Sequence, residues 1–377
     1  MKLSVLQENL AYGLSTVSRA VSPRSTYPIL ANVLLSAEEG RLRLSATDRE
    51  LGITCWIGAK IEEPGATTVP ARTLSDLVGT LPSDTIEMEL SVRTQTLLLR
   101  AGRSNADIKG IDAQEFPPMQ QADLAGGIEI PAEDLKSAVS QAVFAASHDD
   151  ARPVLTGVLV TVDGKTLTMA AADGFRLSVS KLQLAKAVDQ PLRAIVPARA
   201  LNELARIVGD GKETVTMTLP PGRGQVVFTM KDAELRCQLV EGSFPDYQQI
   251  IPNGHKTRTI VATEALLKAA KQAEIFARES SHIARLNIAA GEGDQPGTVE
   301  VTAQSEETGS NESKVDATVE GDSVVIAFNV RFLREVLDVI KSPNVALETT
   351  TATAPGVFRP MGGQDFLHVI MPMHLGK

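Results

Sequence analysis

A chain of 377 residues that is 43% hydrophobic and 22% charged has the composition of a globular protein of two or three domains. Aromatics are only 4%, with Trp56 the single tryptophan, so the cores must be aliphatic and aromatic-cage recognition is disfavoured. The balance of 37 basic against 46 acidic residues gives −9, which weighs against nucleic-acid binding by bulk charge. The distant pair Cys55 and Cys237 speaks against a disulfide scaffold or zinc ribbon.

The first residues, Met1 to Leu10, include Glu8 and lack the apolar stretch of a signal peptide. No uncharged run approaches the roughly 18–20 residues of a membrane span. A cytoplasmic protein without membrane contact is expected. Next, Leu10, Leu14, Val17 and Val21 fall on one helical stripe, predicting a helix over 8–24. Alternating strands follow at Asn32 to Leu35 and Leu42 to Ala46. Pro70 sits in the first turn of a second helix, 71–81. Further strands are expected at Ile86 to Leu90 and Thr96 to Arg100.

The same order then returns twice. Val69-Pro70-Ala71-Arg72-Thr73-Leu74 recurs as Val196-Pro197-Ala198-Arg199-Ala200-Leu201, and more loosely as Phe328-Asn329-Val330-Arg331-Phe332-Leu333. Pro28 to Leu35 matches Pro153 to Val160, and Leu42 to Asp48 matches Leu167 to Asp173. Helices are predicted over 132–147, 198–212, 263–285 and 330–341. The chain therefore reads as three diverged repeats, 1–122, 128–252 and 257–377. Each comprises two helix-plus-strands modules. The class is α+β, with helices gathered on one side of the sheets. Turn chemistry at Gly126-Gly127 and Pro252-Asn253-Gly254 joins the repeats. Gly291 to Gly297 reads as a hairpin tip, and Gln304 to Ser313 as a polar loop of low order.

The six predicted helical stretches hold 14 Lys or Arg and 11 Asp or Glu, so they carry +3 while the remainder carries −12. Six helices on one concave face could meet phosphates while the outside repels them, without reading bases. Ordinary solvated helix faces are the alternative at this level. Packed about 8–10 Å apart, six helices would close on a lumen of a few ångströms, whereas twelve would leave about 25 Å. A duplex is about 20 Å wide, so two chains could enclose DNA where one could not.

Nothing in the sequence points to catalysis, a metal or a cofactor. Asp48 and Asp173 each end a strand at equivalent repeat positions, which reads as a duplicated turn device. The five histidines lack ligand spacing, and phosphate-binding and nucleophile-elbow motifs are missing. Cys55, beside Trp56 in an apolar strand, reads as a buried structural thiol. A repeat-built scaffold without DNA and a hydrolase with a loop-built site remain open alternatives.

Gly65-Ala66-Thr67-Thr68-Val69-Pro70-Ala71-Arg72, Asp173-Gly174-Phe175-Arg176-Leu177, Phe244-Pro245-Asp246-Tyr247, Phe328-Asn329-Val330 and the closing Val369-Ile370-Met371-Pro372-Met373 carry a resemblance along the whole chain. The sequence is similar to the bacterial DNA polymerase III beta subunits, the replicative sliding clamps. The resemblance implies three clamp-fold domains and a head-to-tail homodimeric ring around double-stranded DNA, with helices inside and sheets outside. It implies a non-catalytic processivity factor that tethers the DNA polymerase III alpha subunit. The gamma-complex clamp loader, through its delta subunit, would load the ring, and other clamp-binding-motif proteins would share its docking site. A bacterial cytoplasmic location follows, at the nucleoid during replication.

The implied partner-peptide cleft comprises Leu155, Gly174, Phe175, Arg176, Leu177, Pro245, Gln249, Ile250, Asn329, Phe332, Val369, Ile370, Met371, Pro372, Met373 and Leu375. Its aliphatic and methionine content suits several related peptides. Implied DNA contacts are Arg24, Arg72, Arg103, Arg152 and Arg199, and the dimer seam would use Ile108, Ile275 and Phe276. The chain departs from the better-known members at Gln249 and His374, where Arg is common, and at Phe175, where His is common. Pro153-Val154 replaces a tyrosine pair, and Ala106 replaces a bulkier seam residue.

Overall fold

The computed structural model describes every residue except 24, 39, 120–125, 210, 212, 223, 279–281, 292–294, 364 and 375–377. Repeat one runs β1 (Lys2–Leu6), α1 (Gln7–Val17), β2 (Asn32–Glu38), β3 (Arg41–Thr47), β4 (Leu51–Gly58), β5 (Lys60–Glu63), β6 (Gly65–Pro70), α2 (Ala71–Thr80), β7 (Thr85–Ser91), β8 (Thr96–Ala101) and β9 (Ser104–Lys109). Repeat two runs β10 (Ile128–Pro131), α3 (Ala132–Ala142), β11 (Gly157–Asp163), β12 (Thr166–Ala172), β13 (Arg176–Gln183), β14 (Leu192–Pro197), α4 (Ala198–Ile207), β15 (Thr214–Thr218), β16 (Gln225–Thr229) and β17 (Ala233–Gln238). Repeat three runs β18 (Thr257–Ala262), α5 (Thr263–Ala277), β19 (Ile283–Ala289), β20 (Gly297–Ser305), β21 (Gly309–Gly321), β22 (Val324–Asn329), α6 (Val330–Val339), β23 (Asn344–Thr349), β24 (Gly356–Pro360) and β25 (Phe366–Ile370).

The sequence repeat marks a strand-to-helix junction. Pro70 and Pro197 end β6 and β14 where an amide donor is not needed, and Ala71 and Ala198 open the helices. Repeat three uses a side chain instead, since Asn329 Oδ1 accepts from Arg331 N at 3.0 Å. Inside α6, Val330, Leu333, Val336 and Leu337 recur on one face and are buried. α5 turns Leu266, Ala269, Ala270, Ala273 and Ala277 inward, and its alanines let the helix lie close to the strands. Ile326, Phe328 and Phe358 belong to the same core.

The chain forms two compact units that cut across the repeats: Met1–Leu135 with Glu203–Leu239, and Lys136–Asn202 with Val240–Lys377. The first holds a five-stranded sheet, β5-β1-β7-β8-β9, and an eight-stranded sheet, β10-β15-β16-β17-β4-β3-β2-β6. The second holds a twelve-stranded sheet, β14-β11-β12-β13-β25-β24-β23-β18-β21-β20-β19-β22. The division follows from pairing between repeats. β17 of repeat two is hydrogen-bonded to β4 of repeat one, and β25 of repeat three to β13 of repeat two. The registers correspond: Leu51 faces Cys237 as Arg176 faces Ile370, and Ile53 faces Leu235 as Ser178 faces His368.

Three sequence expectations are corrected. Gln304 to Ser313 is a hairpin, with Ser305 opposite Gly309 and only 306–308 turning between β20 and β21. Its strands read as loop because β21 is exposed along much of this stretch, so alternation is weak. The helix predicted over 263–285 ends at Ala277, and Arg285 lies in β19. The six α-helices themselves hold eight Lys or Arg and nine Asp or Glu, so the expected basic surplus is not helical. It sits past the helix C-termini, at Arg19, Arg278 and Lys341, where cations meet the negative end of the helix dipole. The hairpin tip expected at Gly291 to Gly297 lies partly outside the described residues, although β19 and β20 pair antiparallel on either side.

Candidate functional site

Between β12 and β13, Asp173 builds a tight turn. Its Oδ1 accepts from Phe175 N at 2.9 Å and Arg176 N at 3.1 Å. Gly174 takes a left-handed φ of 97°, which glycine adopts without penalty. Asp48 does the same in repeat one, accepting from Glu50 N and Leu51 N at 3.0 and 2.7 Å. In repeat three Ser305 Oγ replaces the carboxylate, accepting from Glu307 N and Thr308 N at 3.3 and 3.4 Å. The two aspartates are turn builders, as their repeat positions imply.

The turn points Phe175 outward, 61% exposed, and Arg176 inward, 6% exposed. Arg176 Nε bonds Asp173 Oδ2 at 3.0 Å, Nη1 bonds Glu335, and Nη2 donates to the Phe144 carbonyl at 2.6 Å. Its guanidinium lies 4.2 Å from the centre of the Phe332 ring. Burial alone would raise the Glu335 carboxyl, but hydrogen bonds from Arg176 and Arg331 outweigh it and hold it below its ordinary value. Beside this network His368 is fully buried, with Nδ1 2.6 Å from Ser178 Oγ and its ring stacked on Phe144. Burial, reinforced by the Arg176 charge, keeps that imidazole neutral well below its usual pKa of 6.5.

The opposite face of the same strand pair is apolar. Leu177, Val179, Val369 and Val357 lie under Phe244, with Leu155, Val154, Tyr247 and Ile251 packed at the margin. The segment after β25 runs on as a rail, Met371 N bonding Phe175 O at 2.9 Å and Met373 N bonding Ala327 O at 2.8 Å. Exposed Phe175, Ile250 and Met371 give this region its free apolar surface. Gln249 is held by Asp246 at 2.9 Å, and Pro245 is exposed beside it. Pro245 also lines a cavity of about 330 Å³ under Phe244. Asn329 and Phe332 stand at the start of α6, Ile370 is buried at the end of β25, and Pro372 lies between the two rail bonds. Leu375 is outside the described residues.

The other expected residues are distributed more widely. Arg72 opens α2, its side chain 92% exposed and 3.6 Å from Asp76. Arg199 is exposed at the same point of α4, and Arg103 is exposed between β8 and β9. Arg152 pairs with Asp149 at 3.2 Å and has Nη1 only 3.1 Å from the place where a Cβ on Gly174 would stand. It therefore borders the Phe175 turn, a position its sequence context gave no sign of. Arg24 is outside the described residues. Ile108 is buried in β9 and Ile275 is exposed on α5, with Phe276 half-buried next to it. Cys55 and Cys237 are buried thiols, raised by burial to about 11 and about 12. Among the described residues no helix is long and apolar enough to cross a membrane.

Tandem helix-and-sheet repeats, joined by seams of equal register and ending in an exposed apolar surface, define a clamp-type fold. Family models for the DNA polymerase III beta subunit match in succession: the N-terminal domain over residues 1–120, the central domain over 129–246 and the C-terminal domain over 248–374. The beta sliding clamp of Synechococcus elongatus is 33% identical with full coverage of both chains. That of Bacillus subtilis is 30% identical over 99% of each. Among solved structures, the Bacillus subtilis DNA polymerase sliding clamp superposes with a TM-score of 0.92 at 28% identity. The Pseudomonas aeruginosa clamp bound to griselimycin does so with 0.92 at 29%, and both matches cover all of each chain. The chain belongs to the DNA polymerase III beta subunit family, the sliding clamps. It is a processivity clamp for DNA polymerase III, and the family is non-catalytic. The family works with DNA, DNA polymerase and clamp-binding proteins.

Proposed function

We propose that two copies of this chain close head to tail into a ring around duplex DNA. One observation carries this reading. The last strand of repeat two pairs with β4 and the last strand of repeat three with β13, whereas β9, the last strand of repeat one, pairs among the described residues only with β8. The strand equivalent to β4 and β13 in repeat three is β21. It pairs with β20 over Gly309 to Ala317 and meets β18 only over Ala317 to Gly321. One unmatched edge of each type per chain is what a head-to-tail dimer uses up. Ile108 in β9, with Ile275 and Phe276 on α5, would line the junction.

Arg72, Arg103, Arg152 and Arg199, with Arg24, would touch phosphates without reading bases. The cleft residues named above would hold short peptides of the polymerase alpha subunit, of the clamp loader's delta subunit and of other clamp-binding proteins. The exposed apolar patch of Phe175, Ile250 and Met371, beside a buried charged network, supports that use. The domains would run 1–122, 128–252 and 257–377.

Small-angle scattering tests the assembly. A mass near twice 40.2 kDa with a hollow distance distribution is expected. Ile275→Glu, on an exposed side chain, should return it to a single chain without unfolding. A filled particle would overturn the ring.

A further inference from the structure

The seam between β4 and β17 carries a second groove, built from parts equivalent to those of the peptide cleft. Phe116-Pro117 lies over this seam as Phe244-Pro245 lies over the other, with both phenylalanines buried. The Asp48 turn stands where the Asp173 turn stands. Between turn and linker lies a cavity of about 640 Å³, beside another of about 430 Å³ that Trp56 helps to line. At the position of Leu177 this repeat has Gly52. Met119 Cε occupies that space, 2.8 Å from where a Cβ would be.

The lining is polar where the other cleft is apolar. Arg49 takes a φ of 81°, at the place where repeat two has Gly174 at 97°. The left-handed region disfavours a residue with a Cβ, so the fold holds this arginine against its backbone preference. Its guanidinium stacks 4.6 Å from the centre of the exposed Tyr27 ring. The neighbouring arginines have carboxylates: Arg41 has Asp232, Arg43 has Glu38 and Arg236 has Glu234. Among the described residues Arg49 has only that ring. Glu50 and Glu115 line the same cavity, with Gln114, Gln225 and Gln238 offering amides suited to a peptide backbone.

We propose that this groove docks an extended segment of a partner protein, with an acidic side chain on Arg49 and a nearby basic one facing Glu50 and Glu115. Equivalence to the peptide cleft, which rests on the reading above, argues for a peptide. The balanced charge argues independently against a polyanion such as nucleic acid.

The test uses the intact protein and two capped octapeptides, one with Glu and Lys two residues apart and one with Gln at both places. Trp56, the chain's one tryptophan, reports on this groove whether or not the other seam binds peptide. The charged peptide should change its fluorescence saturably. Affinity should fall at least tenfold for the Gln peptide and in Arg49→Gly, and it should weaken with added salt. Arg49→Gly suits the left-handed turn, so its thermal midpoint should hold or rise, separating lost binding from lost folding. Absence of a saturable response, equal affinity for the two peptides, or indifference to Arg49→Gly would each overturn the proposal.

Discussion

The two seams between repeats have one register and opposite polarity. At the first, the side chains facing the helices are Leu51, Ile53 and Cys55 with Leu235 and Cys237, while Gly52, Thr54, Glu234 and Arg236 lie on the other face. At the second, Arg176, Ser178 and Ser180 with His368 face the helices, and Leu177, Val179 and Val369 lie on the other face. A strand's alternation has period two, so exchanging the phase moves the whole apolar set across the sheet. In the second seam the apolar row lies on the side away from the helices, under the linker at Phe244. The buried charge that replaces it beneath, Arg176, is paired with Asp173 and Glu335.

The largest expected effect comes from giving the second seam a residue of the first. Arg176→Leu, copying Leu51, leaves the Asp173 carboxylate without its cation, while Glu335 keeps Arg331 and Arg334. Breaking a buried pair in this way costs about 3–5 kcal/mol. Hydrogen exchange at β13 and β25 should accelerate while exchange at β4 and β17 holds. Adding Asp173→Asn should recover part of the loss, because it removes the stranded charge and keeps an oxygen for the turn amides. No recovery would mean that Arg176 acts through packing on Phe332 alone.

A smaller and pH-dependent effect is expected from His368, for which the first seam has Leu235. Its folded pKa lies below the ordinary 6.5, so the native state binds fewer protons than the unfolded chain below that pH. The stabilisation is complete above pH 6.5 and is lost as pH falls, at up to about 1.4 kcal/mol per unit. Urea midpoints measured between pH 7.5 and 5.5 should decline, with the decline flattened in His368→Leu. Glu335, held below its ordinary value, adds a separate loss only in more acid solution. A decline unchanged in the variant would assign it to another group.

Much of this was legible in the sequence and some was not. The strand-to-helix junctions at Pro70, Pro197 and Asn329 repeat because local chemistry specifies them, and Asp48 and Asp173 declared their turns for the same reason. The opposite phases are also written there, as Leu51-Gly52-Ile53-Thr54 against Arg176-Leu177-Ser178-Val179. Which phase faces the helices depends on pairing with β17 and β25, strands well over a hundred residues away. No local pattern carries that. The cleft residues are marked by resemblance and not by periodicity, while the groove beside Arg49 leaves no mark in the sequence, because a left-handed arginine looks like any other charged turn residue.

The smallest expected change in stability has the sharpest functional reading. Phe175 is exposed and its backbone amide, not its ring, serves the Asp173 turn. Phe175→Ala should therefore shift unfolding by no more than about 0.5 kcal/mol. The ring is the largest free apolar side chain beside Met371, and an anchor of that kind typically carries over 1 kcal/mol of binding, so affinity for a polymerase-derived peptide should fall about tenfold. The equivalent first-seam change, Glu50→Ala, should leave that affinity untouched, since Glu50 lines the other groove. Equal losses from both would mean that the inverted polarity of the seams does not divide their ligands.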